Sequence, residues 1–149
     1  MALAAREPGR DTARAMSQEN VEIVQRANAA FLRGDLDALE RAYDPDIHWR
    51  DLQHAPDAPS DVRGIEAVKR IWADWLDAFP DLRADISEYI DAGETVICVV
   101  HWHGSGKGSG VPMDQHTVDS YEVRGGLITR ATFGARSKDE ALEAAGLSE

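Results

Sequence analysis

Apolar residues recur at helical spacing in three stretches of the first half of the chain. After Pro80 they recur at every second position. From Ser17 onward Val21, Val24, Ala27, Ala30 and Phe31 share one helical face, with Ser17 placed to cap the helix and Gly34 to end it. Asp35 then caps a second helix carrying Leu36, Leu39, Ala42 and Tyr43, which Pro45 stops. Residues 47–50 form a short strand, and residues 53–63, with two prolines, form a loop. A third helix follows Gly64, with Ile65, Val68, Trp72, Trp75, Leu76 and Phe79 along its face until Pro80 breaks it. Those aromatics are placed to make the main core face.

Beyond Pro80, Leu82, Ala84, Ile86 and Tyr89 alternate as a strand, residues 91–94 turn, and residues 95–103 form the next strand. The glycine-rich stretch 104–110 leads into a strand over 114–123, and Gly125 and Gly126 turn tightly into another over 127–134. Ser137, Lys138, Asp139 and Glu140 match a capping box for a short final helix with Leu142. No segment repeats. Three helices around one strand, then strands joined by hairpins, define an α+β domain: helices on one face of a curved antiparallel sheet.

A length of 149 residues suits one domain able to bury a real core. The net charge of −11 repels phosphate backbones and anionic lipid, so neither nucleic acid nor a membrane surface is an expected partner. An acidic surface also simply keeps a protein dissolved. No apolar run approaches the eighteen or so residues of a membrane span. Residues 1–15 carry arginines without a long hydrophobic stretch, so they are expected to be a disordered extension ahead of a domain over 16–149. The lone Cys98, inside an apolar strand, has no partner for a disulfide and reads as a buried, inert thiol. A cytoplasmic location is the expectation.

Candidate chemistry concentrates on the strands. Asp51 and Asp119 each end or interrupt an apolar-flanked run, and a carboxylate desolvated in an apolar cavity can move protons near neutral pH. Thr117, Asp119 and Tyr121 alternate onto one strand face. His101 and His103 flank Trp102, so both imidazoles share a face: turned to the cavity they could supply a second proton carrier, and turned away they would pack against a partner's sheet. Their spacing resembles the first part of the cupin metal motif, but residues 104–108 hold no carboxylate to complete it. No metal site and no cofactor is expected. Trp49, Trp102, Thr117 and Tyr121 are candidates to line a ligand cavity, and core packing accounts for the aromatics equally well. The stretch 104–110 lacks the ending of a phosphate loop and reads as a hairpin connection. His48, His54 and His116 carry no signal.

The order of elements resembles the cone-shaped fold shared by nuclear transport factor 2, ketosteroid isomerase, the SnoaL-like polyketide cyclases and limonene-epoxide hydrolase. The resemblance extends from Ser17 to Gly146. It rests on Arg33-Gly34-Asp35-Leu36-Asp37 with Tyr43-Asp44-Pro45-Asp46, on Arg63-Gly64-Ile65-Glu66-Ala67, on Phe79-Pro80-Asp81-Leu82, and on the hairpin Glu122-Val123-Arg124-Gly125-Gly126-Leu127-Ile128. It implies a sheet with helices on its concave face and a homodimer formed through the convex face. Asp51 resembles the isomerase base in position, and Asp119-Ser120-Tyr121-Glu122-Val123 resembles the run that begins with the isomerase's oxyanion-donating acid. Ala27 stands where the isomerase has its oxyanion-hole tyrosine, and Phe133 near where the epoxide hydrolase has an acid. The activity implied is that of a cofactor-independent isomerase or aldol-type cyclase acting on a small or polycyclic carbonyl compound. The catalytic candidates are Asp51, Asp119, His101 and His103. The alternative is a non-catalytic pocket for an apolar ligand, or a protein-interaction domain.

Overall fold

The computed structural model describes residues 8–53, 59–108, 110 and 112–147; His54 lies outside them. Helix α1 spans Pro8–Arg33 and α2 Leu36–Arg41, followed by strands β1 (Tyr43–Asp51) and β2 (Asp61–Arg63). Helix α3 spans Ile65–Ala78. The remaining strands are β3 (Arg83–Ala92), β4 (Thr95–Ser105), β5 (Pro112–Arg124) and β6 (Leu127–Ala135), and α4 (Lys138–Ala144) follows them. No helix among the described residues is long and apolar enough to cross a membrane.

The strands form a single six-stranded sheet in the order β2-β1-β6-β5-β4-β3. It is mixed, where the sequence led us to expect it antiparallel: β1 lies parallel to β6, and every other pair is antiparallel. The hairpins from β3 to β6 are those expected. Only the parallel pair needs a long crossover, which α3 and the hairpins supply.

Four positions differ from expectation. Ser17 lies inside α1, because the helix begins at Pro8 and crosses the expected domain boundary at Met16. Helix α2 stops at Arg41, capped by the Asp35 carboxylate on the Ala38 N–H at 3.1 Å, so Tyr43 belongs to β1 instead of α2. Pro45 is inside β1, in a stretch where the register against β6 shifts between Tyr43 and His48, which spares it a ladder bond. The expected loop over 53–63 ends in the short strand β2.

Alternation along the strands divides the core in two. Val96, Cys98, Val100 and Trp102 of β4, with Tyr121 and Val123 of β5, pack under α1 and α3 on the inner face. Ile97 and Val118, with Ala135, face the other way and are covered by Ala141 and Leu142 of α4. The expected placement of helices on one face therefore holds for α1 and α3, while α4 sits on the outer face. The hydroxyl of Ser137 caps α4 by accepting from the Glu140 N–H at 3.1 Å, and the Glu140 carboxylate accepts from the Arg136 N–H at 3.3 Å. Ser137→Ala is expected to cost about 1 kcal/mol in urea unfolding. No change in the midpoint would mean that α4 is held by its apolar contacts alone.

Candidate functional site

Between α1, α3 and the inner face of the sheet lies an apolar cavity of about 60 Å³. All four tryptophans line it: Trp49 from β1, Trp72 and Trp75 from α3, and Trp102 from β4. Their rings meet neighbours edge to face, Trp75 and Trp102 on Phe133 with centroids 5.3 and 5.9 Å away, and Trp72 on Tyr43 at 4.9 Å. Such contacts favour one arrangement of the wall. Asn28, Tyr43 and Tyr121 bring the polar atoms. The Tyr121 hydroxyl donates to Asn28 Oδ1 at 3.4 Å, and Asn28 Nδ2 faces the Tyr89 hydroxyl at 3.5 Å and Cys98 Sγ at 4.0 Å. Burial pushes the pKa values of Tyr43, Tyr121 and Cys98 up, so all three keep their protons.

Behind this wall the sheet holds a second set of polar groups. Opposite Asp119, β6 carries one residue more than β5: Val118 pairs with Ala135 and Ser120 with Thr132. This bulge needs Gly134 in a left-handed conformation (φ 90°), and it turns the Gly134 N–H onto Asp119 Oδ1 at 2.9 Å. Asp119 is 1% exposed, and its Oδ2 makes no hydrogen bond among the described residues. Burial drives its carboxyl up to about 7, against the Gly134 N–H and the nearby Thr117 and Trp102 side chains, which favour the anion. The charge of Asp51 raises it further.

Asp51 is also buried, 4% exposed, and its Oδ1 accepts from the Gln53 N–H at 2.8 Å. It lies directly across from Phe133 on β6, so Gly134 is wedged between the two aspartates: a Cβ there would sit 3.2 Å from Asp51 Oδ1. The two carboxylates are neighbours, but neither lines the cavity. Trp102 and Tyr121, which flank Asp119 on the inner face, and Trp49 and Phe133, beside Asp51, form the wall instead. Thr117 does not reach the cavity either; its hydroxyl accepts from the Trp102 indole N–H at 3.0 Å.

His101 and His103 were candidate proton carriers on condition that they face the cavity, with packing against a partner's sheet as the other reading, and the structure turns both away from the cavity. Trp102 takes the inner face, so strand alternation sends both imidazoles to the outer one. There His101 Nε2 meets Asp114 Oδ1 at 2.8 Å and His103 Nε2 meets Asp85 Oδ2 at 3.0 Å. No proton carried by either can reach a ligand in the cavity.

Asn28, Tyr43 and Gly134 did not stand out in the sequence. Asn28 left a readable trace, a polar residue four positions after Val24 and three before Phe31 on an apolar helix face. Tyr43 was hidden by its assignment to α2. The conformation of Gly134 depends on a bulge that no local pattern announces.

A helix-covered sheet with an aromatic cavity on its inner face defines a small pocket protein of the nuclear transport factor 2-like class. The family profile of the SnoaL-like domain matches residues 24–131, and the chain belongs to that family. Solved structures agree on the fold. A nuclear transport factor 2-like protein from Burkholderia xenovorans LB400 is 26% identical, with 78% of this chain and 88% of that one covered and a TM-score of 0.66. A protein of ketosteroid isomerase-like fold from Catenulispora acidiphila, in complex with trimethylamine, is 25% identical over 85% and 93% of the two chains, with a TM-score of 0.66. TerC, co-crystallised with polyporic acid, is 20% identical over 77% and 89%, with a TM-score of 0.69. Among curated proteins none matches.

Proposed function

We propose that this protein binds a small carbonyl compound against its tryptophan-lined cavity and acts on it by acid–base chemistry, as an isomerase or aldol-type cyclase. One observation carries the reading: a fully buried carboxyl, Asp119, whose Oδ2 has no partner among the described residues and whose pKa lies at about 7. A group that is half protonated near neutrality, with one oxygen unengaged, can donate to an oxygen that gains charge. In this scheme Asp51 takes the proton from the carbon beside the carbonyl, and Asp119 holds its own proton on the carbonyl oxygen as the enolate forms. The isomerase course returns the proton to a different carbon; the cyclase course joins the enolate carbon to a second carbonyl. Similar folds holding trimethylamine and polyporic acid support small-molecule binding.

The size of the cavity narrows the ligand. About 60 Å³ admits a molecule of a few heavy atoms, well short of the roughly 300–1,000 Å³ common for drug-sized ligands. A polycyclic substrate has to displace Trp72 or Trp75, and any substrate reaching Asp119 has to move the edge of Trp102 or Phe133. A second reading, a non-catalytic pocket, is favoured by the carboxylates lying behind the wall.

Acetate, an oxyanion small enough for the cavity and already ionised across the neutral range, serves as a mimic of the enolate, and the four wall tryptophans report its binding by fluorescence. Binding is expected to weaken as pH rises through about 7, where Asp119 loses the proton it would donate. Asp119→Leu, which has no donor, is expected to bind the anion about tenfold or more weakly, the worth of a hydrogen bond to a charged group. Asp119→Asn, whose amide still donates, is expected to bind without the pH dependence. Equal affinity in the parent and Asp119→Leu, with no dependence on pH across that range, leaves the non-catalytic pocket as the answer.

A further inference from the structure

The outer face of the sheet carries a group of side chains that the cavity chemistry does not use. His101 of β4 and His116 of β5 are directly opposite each other in the register, and their rings stack with centroids 4.1 Å apart and planes 9° from parallel. Asp114, two residues before His116, reaches back so that its Oδ1 lies 2.8 Å from His101 Nε2 and 3.9 Å from His116 Nε2. One donor atom from each of the three lies within 4.8 Å of the others.

We propose that His101, Asp114 and His116 bind a divalent transition-metal ion, of the class to which zinc, nickel and copper belong. Two imidazoles and one carboxylate suit these ions and not magnesium or calcium, which prefer oxygen donors throughout. Zinc–ligand bonds of about 2.0–2.1 Å in a tetrahedron put neighbouring donors about 3.3 Å apart. The His101–Asp114 pair therefore has to open by about 0.5 Å, the His116–Asp114 pair to close by about 0.6 Å, and the two histidines to close by up to about 1.5 Å. The side chains that must move are the ones free to do so: His116 and Asp114 have side-chain exposures of 76% and 69%. His101, at 35%, is held on a strand inside the sheet and supplies the fixed point.

The ion takes the place of the proton now shared between His101 Nε2 and Asp114 Oδ1, and the parallel rings of His101 and His116 tilt so that both nitrogens converge. Three protein ligands leave the remaining position to water. A chain of net charge −11 adds a long-range attraction for a dication. His103 stays outside the set: its Nε2 is tied to Asp85 at 3.0 Å, and it stands opposite the cation of Arg83 on β3.

The linear spacing that led us to expect no metal was incomplete for a physical reason. His101 and His103 lack a carboxylate downstream on their own strand, and the ligands that complete the site come from the next strand, across the hairpin.

Calorimetric titration of the full chain with zinc chloride tests this. One ion per chain is expected to bind, with a large excess of magnesium leaving the isotherm unchanged. His116→Ala and Asp114→Asn are each expected to bind at least about tenfold more weakly, with unchanged circular dichroism. His103→Ala and His48→Ala, which disturb other histidine–aspartate pairs, are expected to bind as the parent does. Absence of saturable binding, or undiminished binding in the His101→Ala/His116→Ala double variant, overturns the proposal. So does an equal loss in His103→Ala, which would mark a diffuse histidine patch.

Discussion

Raising the pH from 4 to 8 is expected to remove up to ~4 kcal/mol of folding stability through Asp119 alone. Its carboxyl has an ordinary pKa of 3.8 when solvated, as in the unfolded chain, and titrates at about 7 in the folded protein, chiefly because burial penalises the anion. The folded state thus keeps a proton that the unfolded chain has released. The contribution is fully present below pH 3.8, declines from there, and is lost as pH rises through about 7. Asp61 and Asp81 act in the opposite sense, since hydrogen bonds from His48 and from the Ser105 N–H lower their pKa values, and their support fades in acid. Stability should accordingly peak in mildly acidic solution. Urea unfolding at pH 5 and pH 8 measures the decline. Asp119→Asn keeps an acceptor for the Gly134 N–H and cannot ionise, so its profile is expected to be flat over this range and to lie above the parent at pH 8. An equal decline in both proteins would mean that Asp119 is already ionised in the fold. That would also remove the acid from the proposed chemistry.

Gly134→Ala is expected to destabilise the fold by ~3 kcal/mol or more, because two costs coincide. The left-handed backbone at this position, φ 90°, costs an alanine about 1–2 kcal/mol. The new Cβ would also fall 2.8 Å from Gln53 Cγ and 3.2 Å from Asp51 Oδ1, inside normal contact, so the Asp51–Gln53 turn has to shift. Gly126 provides the control: its φ is 83°, but a Cβ there meets nothing within 4 Å. Denaturant midpoints for Gly126→Ala and Gly134→Ala separate the backbone cost from the crowding. Equal losses would show that the turn carrying Asp51 gives way freely, leaving the closeness of the two aspartates unenforced.

The fold was largely legible because its signals are local. Period changed from helical to two at Pro80, and Gly125-Gly126 and Ser137 marked a turn and a cap that the structure contains. The parallel pairing of β1 with β6 left no such mark, since it joins residues far apart in sequence, as with Trp49 and Ala131. Tyr43 was drawn into α2 by its helical spacing, although the chain turns at Ala42 and tertiary pairing with Ile128 makes it a strand residue.

At the site, alternation correctly grouped Thr117, Asp119 and Tyr121, and equally His101 with His103. What alternation cannot give is which group faces inward. Both sides of β4 are apolar near its start, Val96 and Cys98 on one and Ile97 and Val99 on the other, so only Trp102 hints at the direction. A cavity lined by Trp102 and one lined by its histidine neighbours exclude each other. The nearness of Asp51 to Asp119 was equally out of reach, because it is made by β6 lying between them.

That placement of β6 has a consequence for how the protein comes into being. Strand β1 is synthesised well before its parallel partner, Leu127–Ala135, which follows every other strand. The β3–β4–β5 meander can pair earlier, through hairpin contacts that are close in sequence, and α1 can dock on β3 and β4 before β6 is made. Until β6 leaves the ribosome, Trp49 lacks the neighbour it packs beside, and Asp119 lacks both the Gly134 N–H and the cover that removes it from water. Both aspartates are then solvated and ionised. Protonation of Asp119 thus belongs to the final closure of the sheet, and a nascent chain halted after Arg124 would carry both acids without the burial that raises the Asp119 pKa.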